Sequence, residues 1–153
     1  QQGVGTFVVD CEGRENLGAA FEQGALTDLL EVRQLLEVRI AEKAAQQRSD
    51  DDLSKIARAL EKRKIEADAN ALVACIEADI AFHQAIADAC GNSILSELYR
   101  ASSKHIVSAF KQMYVDTTVF VETQQSHEEL FLAIERQDVS QACAVLHEII
   151  EAV

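Results

Sequence analysis

A chain with no proline, and with most of its six glycines before residue 25, is free to run as helix over most of its length. Its apolar residues use that freedom at the helical period. On a helix, Leu72 to Cys90 puts Leu72, Cys75, Ile76, Asp79, Phe82, His83, Ile86 and Cys90 on one face. Glu77, Ala81, Gln84 and Asp88 fall on the other. A carboxylate and an imidazole one turn apart thus stand inside an apolar stripe. Burying such groups unpaired costs about 2 kcal/mol or more each, so something must answer them. One answer is an internal Asp–His hydrogen bond; the other is a metal whose remaining ligands arrive from other helices.

The same pattern continues on both sides of this stretch. A first helix over about 25–48 has the seam Leu26, Leu29, Leu30, Arg33, Leu36, Glu37, Ile40 and Ala44. Arg33 and Glu37 lie on that seam one turn apart, either as a buried ion pair or with the guanidinium facing a cavity to meet an anionic ligand. Ser49 followed by Asp50, Asp51 and Asp52 starts a second helix, running to about Ala67. Its Lys55, Arg58, Glu61, Lys62 and Arg63 read as a solvated outer face. Asp68-Ala69-Asn70 breaks the pattern and caps the Asp79 helix, which Gly91-Asn92 ends.

A fourth helix over about 93–114 carries Leu95, Leu98, Tyr99, Ser102, Ile106, Ala109 and Met113, with His105 on the edge of the seam. Ser102 either bonds back to its own helix or, with His105, lines a polar pocket. A fifth over about 118–136 aligns Phe120, Thr123, His127, Leu130, Phe131 and Ile134, so His127 is a second imidazole on a buried face. A sixth begins after Asp138 and aligns Ala142, Val145, Leu146, Ile149 and Val153, with His147 pointing away. Short connections between amphipathic helices predict an all-α antiparallel bundle of six to seven helices.

Residues 1–10 differ. Thr6-Phe7-Val8-Val9, after Gly3 and Gly5, reads as the last strand of a small hairpin, and 11–24 reads as a polar linker, leaving 25–153 as the helical domain. The chain begins Gln-Gln and its only methionine is Met113, so a fragment of something longer is expected.

Charge and cysteine usage narrow the class. A net charge of −12 repels nucleic acid from this piece. No apolar run approaches the roughly 20 residues of a membrane span, and no signal-peptide pattern opens the chain. Cys11, Cys75, Cys90 and Cys143 form no CxxC pair, which predicts free thiols in a reducing cytoplasm.

Arg33, Glu37, Asp79, His83, Ser102 and His127 thus come to apolar faces from four helices. One Asp with two His is a partial ligand set for a divalent transition metal such as zinc, nickel or manganese. Two functions accommodate it. One is a ligand-sensing regulatory domain. The other is a small metal-dependent hydrolase-like enzyme in which Asp79, His83 and His127 hold a water-activating metal, with Glu37 as the only buried-face base.

GVGTFV (3–8) resembles the wing end of the winged helix-turn-helix of GntR-type bacterial regulators. DLLEVRQLLEVRIAEKAA (28–45), EADIAFHQAIADACGNSIL (77–95) and SHEELFLAIERQDVSQA (126–142) resemble the C-terminal effector-binding (FCD) domain of the FadR subfamily. The resemblance implies a homodimeric all-α domain that senses a small carboxylate metabolite. The operator DNA would be read by the attached N-terminal domain, and the domain itself would not be an enzyme. It implies a metal held by one Asp and three His, with Asp79, His83 and His127 matching three of the four positions. The fourth position, eleven residues after Asp138, is Ile149 here. His147 comes two residues early and about 200° around the helix, so the metal is expected to be held more weakly. By the same resemblance Arg33 is the partner of the effector's carboxylate; Glu37, Ser102 and His105, polar residues on or beside the seams, are the other candidate effector contacts.

Overall fold

A computed structural model of the chain describes residues 25–152. The expected wing strand (1–10), the linker (11–24), Cys11 and the final Val153 lie outside the described residues. Among the described residues seven helices follow one another: α1 (Leu26–Gln47), α2 (Asp50–Asp68), α3 (Leu72–Asp88), α4 (Ser93–Met113), α5 (Thr118–Glu122), α6 (Gln124–Glu135) and α7 (Val139–Glu151). The all-α expectation holds, with no strand among the described residues.

Local chemistry sets the boundaries. At the start of α2, the Ser49 hydroxyl accepts from the Asp52 N–H while the Asp52 carboxylate accepts from the Ser49 N–H, closing a capping box. The Asn92 side chain accepts from Ile94 N and Leu95 N to start α4, and Asp138 accepts from Gln141 N to start α7. Gly91 closes the α3 end at φ 66°, where a Cβ would also run into the Gln47 side chain. Asn70 corrects its expected role. At φ 53° it turns the chain after α2, and its side chain accepts from Thr117 rather than capping α3.

The single fifth helix of the sequence reading is two helices, broken at Thr123. The break falls where the Phe120 carbonyl accepts from Arg63 Nη1, at 2.8 Å, so a distant side chain takes a carbonyl from the helical ladder.

Helix α1 packs against α7, α4 and α3, while α2 pairs with α3 and α6 with α7. The core they enclose is divided. One apolar cluster contains Ile40, Ile56, Leu60, Phe82, Ile86, Tyr99, Leu130 and Ile149. The other contains Leu29, Ala67, Cys75, Ile76, Ile106, Phe110 and Phe120. Along α1 the chain passes from Leu29 through Arg33 and Glu37 to Ile40; along α2, from Leu60 through Arg63 to Ala67. Along α3 it passes from Ile76 through Asp79 and His83 to Ile86, and His127 separates Phe120 from Leu130. A polar layer therefore lies across the middle of the bundle. Cys75 and Cys90 are buried free thiols, and burial pushes the Cys75 thiol up to about 11, which leaves it inert at neutral pH.

Candidate metal and effector site

The polar layer is built from the inside faces of four helices, α1, α2, α3 and α6, and nothing in it is exposed beyond 3%. Its centre is three atoms. His83 Nε2 lies 3.4 Å from His127 Nε2, which lies 3.3 Å from Asp79 Oδ1. Donor atoms of Asp79, His83 and His127 all fall within 4.8 Å of one another.

The outward nitrogens decide what the inward ones carry. His127 Nδ1 is 2.7 Å from the Thr123 carbonyl, an acceptor only, so Nδ1 holds the proton. His83 Nδ1 stands 3.1 Å from Glu37 Oε2, another acceptor, although Oε2 has no well-aligned hydrogen bond. With both protons on Nδ1, two Nε2 lone pairs and a carboxylate oxygen converge on one point. Arg63 already answers the charge of the Asp79 oxygen, and the two imidazole lone pairs beside it are the unanswered donors that a cation could take. Carbonyl and carboxylate groups holding the far side of each imidazole are also what orients histidine ligands in metal sites. Zinc bonds of about 2.0–2.1 Å in a tetrahedral set place neighbouring ligand atoms roughly 3.3–3.4 Å apart, which is the spacing of the His83–His127 and His127–Asp79 pairs. The donor set fits a divalent metal.

Of the two readings of α3, an internal Asp–His bond or a metal, the contacts run between helices: Asp79 faces His127, and His83 faces Glu37. Asp79 has a further partner that the sequence reading placed on the outer face. Arg63 is 1% exposed, and its Nε donates to Asp79 Oδ1 at 2.7 Å. Its Nη1 donates to Phe120 O and Gln124 Oε1, and its Nη2 to Thr123 Oγ1. Of the five charges read as solvated on α2, Arg63 is the exception; Lys55, Arg58, Glu61 and Lys62 are exposed. The signal was present in the spacing of Ile56, Leu60, Arg63 and Ala67, one continuous stripe.

Arg33 Nε donates to Glu37 Oε1 at 2.8 Å, forming the buried ion pair, while Arg33 Nη1 is buried without a hydrogen-bond partner. Each guanidinium lies against an aromatic ring, Arg33 over Phe110 and Arg63 over Phe120. Arg33, Arg63, Asp79, His127 and Ile149 meet around a cavity of about 10 Å³, room for one water-sized body. Phe110, Tyr114, Val119, Phe120 and Thr123 complete its wall. The buried Tyr99 hydroxyl has no aligned partner, and burial raises its pKa well above 10, so it is a neutral phenol.

Ser102 is buried and donates to Tyr99 O at 2.9 Å, bonding back to its own helix. Half-buried His105 and Ser102 are not among the residues around the cavity. Ile149 is, with 1% exposure, whereas His147 is exposed and its Nδ1 lies 3.2 Å from Gln34 Nε2.

The ionisation shifts share one sign. Burial alone would raise both carboxyls, but Arg33 and His83 bring Glu37 down to about 2. Asp79 is held well below 3.8, against burial, by His127, His83 and Arg63. Burial lowers His127 from 6.5 against the pull of Asp79. Each group then binds fewer protons folded than unfolded in acid. The stability they contribute is complete above 6.5 and is lost as pH falls, first through His127 and, below 4.5, through the carboxyls. The melting temperature of metal-free protein should fall steadily from about pH 7.5 to about pH 4. A flat profile would contradict these shifts.

Comparison with known proteins shows the family. The FCD domain family matches residues 28–152. The chain is similar to the Uxu operon transcriptional regulator of Escherichia coli (strain K12), 37% identical over 106 residues, covering 67% of this chain and 41% of that one. It is similar to the HTH-type transcriptional regulator LutR of Bacillus subtilis (strain 168), 32% identical over 157 residues, covering 95% of this chain and 70% of that one. A GntR structure from Streptococcus agalactiae shares the fold, with TM-score 0.73 and 23% identity over 86% of this chain and 61% of that one. The relatives are named as transcriptional regulators, not enzymes. The chain belongs to the FCD domain family of GntR-type transcriptional regulators.

Proposed function

We propose that this domain senses a small carboxylate for a cytoplasmic, dimeric, DNA-binding regulator, through Arg33 and a divalent metal held by Asp79, His83 and His127. The observation that carries the reading is the convergence of two Nε2 lone pairs and Asp79 Oδ1 beside the unpartnered Arg33 Nη1. The metal would supply a Lewis acid with an open side. The guanidinium supplies paired donors for a carboxylate. Glu37 holds Arg33 when no carboxylate is bound, and exchange of that partner changes which helices the guanidinium ties together.

The cavity has space for one water-sized body, so a larger acid enters only as a wall moves. We assign that wall to α5, five residues long, which gives Val119 and Phe120 to the cavity and is tied to α2 by Arg63. Its displacement is the signal passed to the DNA-binding half, which would read the operator. The hydrolase reading has no observation in its favour, since Glu37 is committed to Arg33.

Metal analysis after dialysis against a mild chelator tests the site. The expected result is one divalent ion per chain on reloading, with binding abolished in His83→Ala and His127→Ala. Unchanged uptake in His83→Ala would remove the assignment. Ile149 faces the cavity, so Ile149→His should tighten the metal by at least the ~10–100-fold that supporting residues around metal ligands are worth. His147→Ala should leave it unchanged, because that side chain is exposed.

A further inference from the structure

Four buried charges share the polar layer. Among the described residues, Arg33, Glu37, Arg63 and Asp79 are the only Asp, Glu, Lys or Arg side chains that are buried, at 1 to 3% exposure. They balance: two guanidiniums, two carboxylates. With neutral imidazoles the layer has no net charge before any metal enters. This distinguishes it from an acidic metal cage, where carboxylates in excess await the cation.

Arg63 creates the balance. Its Nε holds Asp79 Oδ1, and its remaining bonds go to Phe120 O, Gln124 Oε1 and Thr123 Oγ1. It is fixed on four sides and is no arm for a ligand. Arg33, with Nη1 unpartnered, is the arm. A divalent ion at Asp79, His83 and His127 would therefore leave two positive charges uncompensated in a layer with almost no solvent contact. Buried charge without a partner is strongly disfavoured. A monoanion removes half of the excess; a dianion removes all of it.

Resting on the metal reading above, we infer that Arg63 couples the two ligands of this site. The metal and a small dianion load together, and the effector is an acid that brings two negative charges, such as a dicarboxylate or a hydroxy acid whose hydroxyl ionises on the metal. Arg63 is a specificity-determining positioning residue. It acts through Asp79, whose oxygen it holds, and sets the charge that the pair must satisfy. The coupling is reciprocal, so the metal raises affinity for the dianion by the factor that the dianion raises affinity for the metal.

Zinc titration of the whole chain against a chromophoric competitor, with free zinc corrected for the zinc each anion binds and at equal ionic strength, tests this. The arms are no added anion, acetate, malonate and malate. The expected result is a gain in zinc affinity of about tenfold or more with malonate or malate, against less than about threefold with acetate. Arg63→Met should bind zinc at least about tenfold tighter than wild type without any anion, because a carboxylate is then in excess. Arg63→Gln serves the same purpose if the Met variant does not fold. Zinc affinity that is the same in every arm for wild type overturns the coupling and leaves the metal site standing. A folded Arg63 variant with unchanged zinc affinity overturns the role of Arg63. No zinc uptake in any arm removes both the coupling and the metal site.

Discussion

Asp79→Ala is expected to destabilise the metal-free domain by about 3–5 kcal/mol, because it leaves the Arg63 guanidinium buried without its counter-charge. The remaining acceptors, Phe120 O, Gln124 Oε1 and Thr123 Oγ1, are neutral and satisfy hydrogen bonds but not charge. The loss corresponds to a fall in melting temperature of roughly 10–20 °C for a domain of this size. Asp79→Asn keeps an acceptor for Nε and should lose less. Removing both charges is informative in the opposite direction. A well-packed apolar pair can replace a buried ion pair at little cost, so Asp79→Leu combined with Arg63→Met should be more stable than either single variant. Urea denaturation in the presence of a chelator reads wild type, Asp79→Leu, Arg63→Met and the double variant, and the Ala and Asn variants beside them. Additive losses in the double variant would show that Arg63 and Asp79 are not a pair in solution.

The second large effect concerns ligand affinity. With metal bound, Arg33→Ala should weaken the best small carboxylate by about 2–5 kcal/mol, or roughly thirtyfold to several thousandfold. The reason is geometric as well as electrostatic. Arg33 is 1% exposed, is held through Nε by Glu37, and has Nη1 without a hydrogen-bond partner beside the cavity. Arg33→Lys keeps the charge and loses the planar fork, so it should also weaken binding, by less. Calorimetry with mono- and dicarboxylic acids and sugar acids measures both, with helical circular dichroism to show that each variant is folded. Equal affinity of wild type and Arg33→Ala would take Arg33 out of the site.

Much of this site could be read from spacing, because a polar residue at a core position of an amphipathic helix stands out against its stripe. Asp79 and His83 stand out in this way on α3, Arg33 and Glu37 on α1, and His127 on α6. Ile149 was placed correctly by register alone, facing the cavity while His147 faces water. Arg63 was missed for a physical reason. It sits in the run Lys62-Arg63-Lys64, where composition says solvent, although its position relative to Ile56 and Leu60 says core. The break at Thr123 was out of reach for the same cause, since it accompanies a bond from Arg63 to a carbonyl 57 residues away. The pairing of Asp79 with His127 and of His83 with Glu37 depends on how three helices meet, which periodicity within one helix does not contain. Of the effector contacts, Ser102 followed the commoner local rule and bonded to its own helix.

Anomalous diffraction at the zinc or cobalt edge from metal-soaked crystals of the chain tests the proposed site most directly. The expected result is one strong peak per chain within bonding distance of His83 Nε2, His127 Nε2 and an Asp79 oxygen. A peak only at His147 or another surface residue, or none at saturating metal, would contradict it.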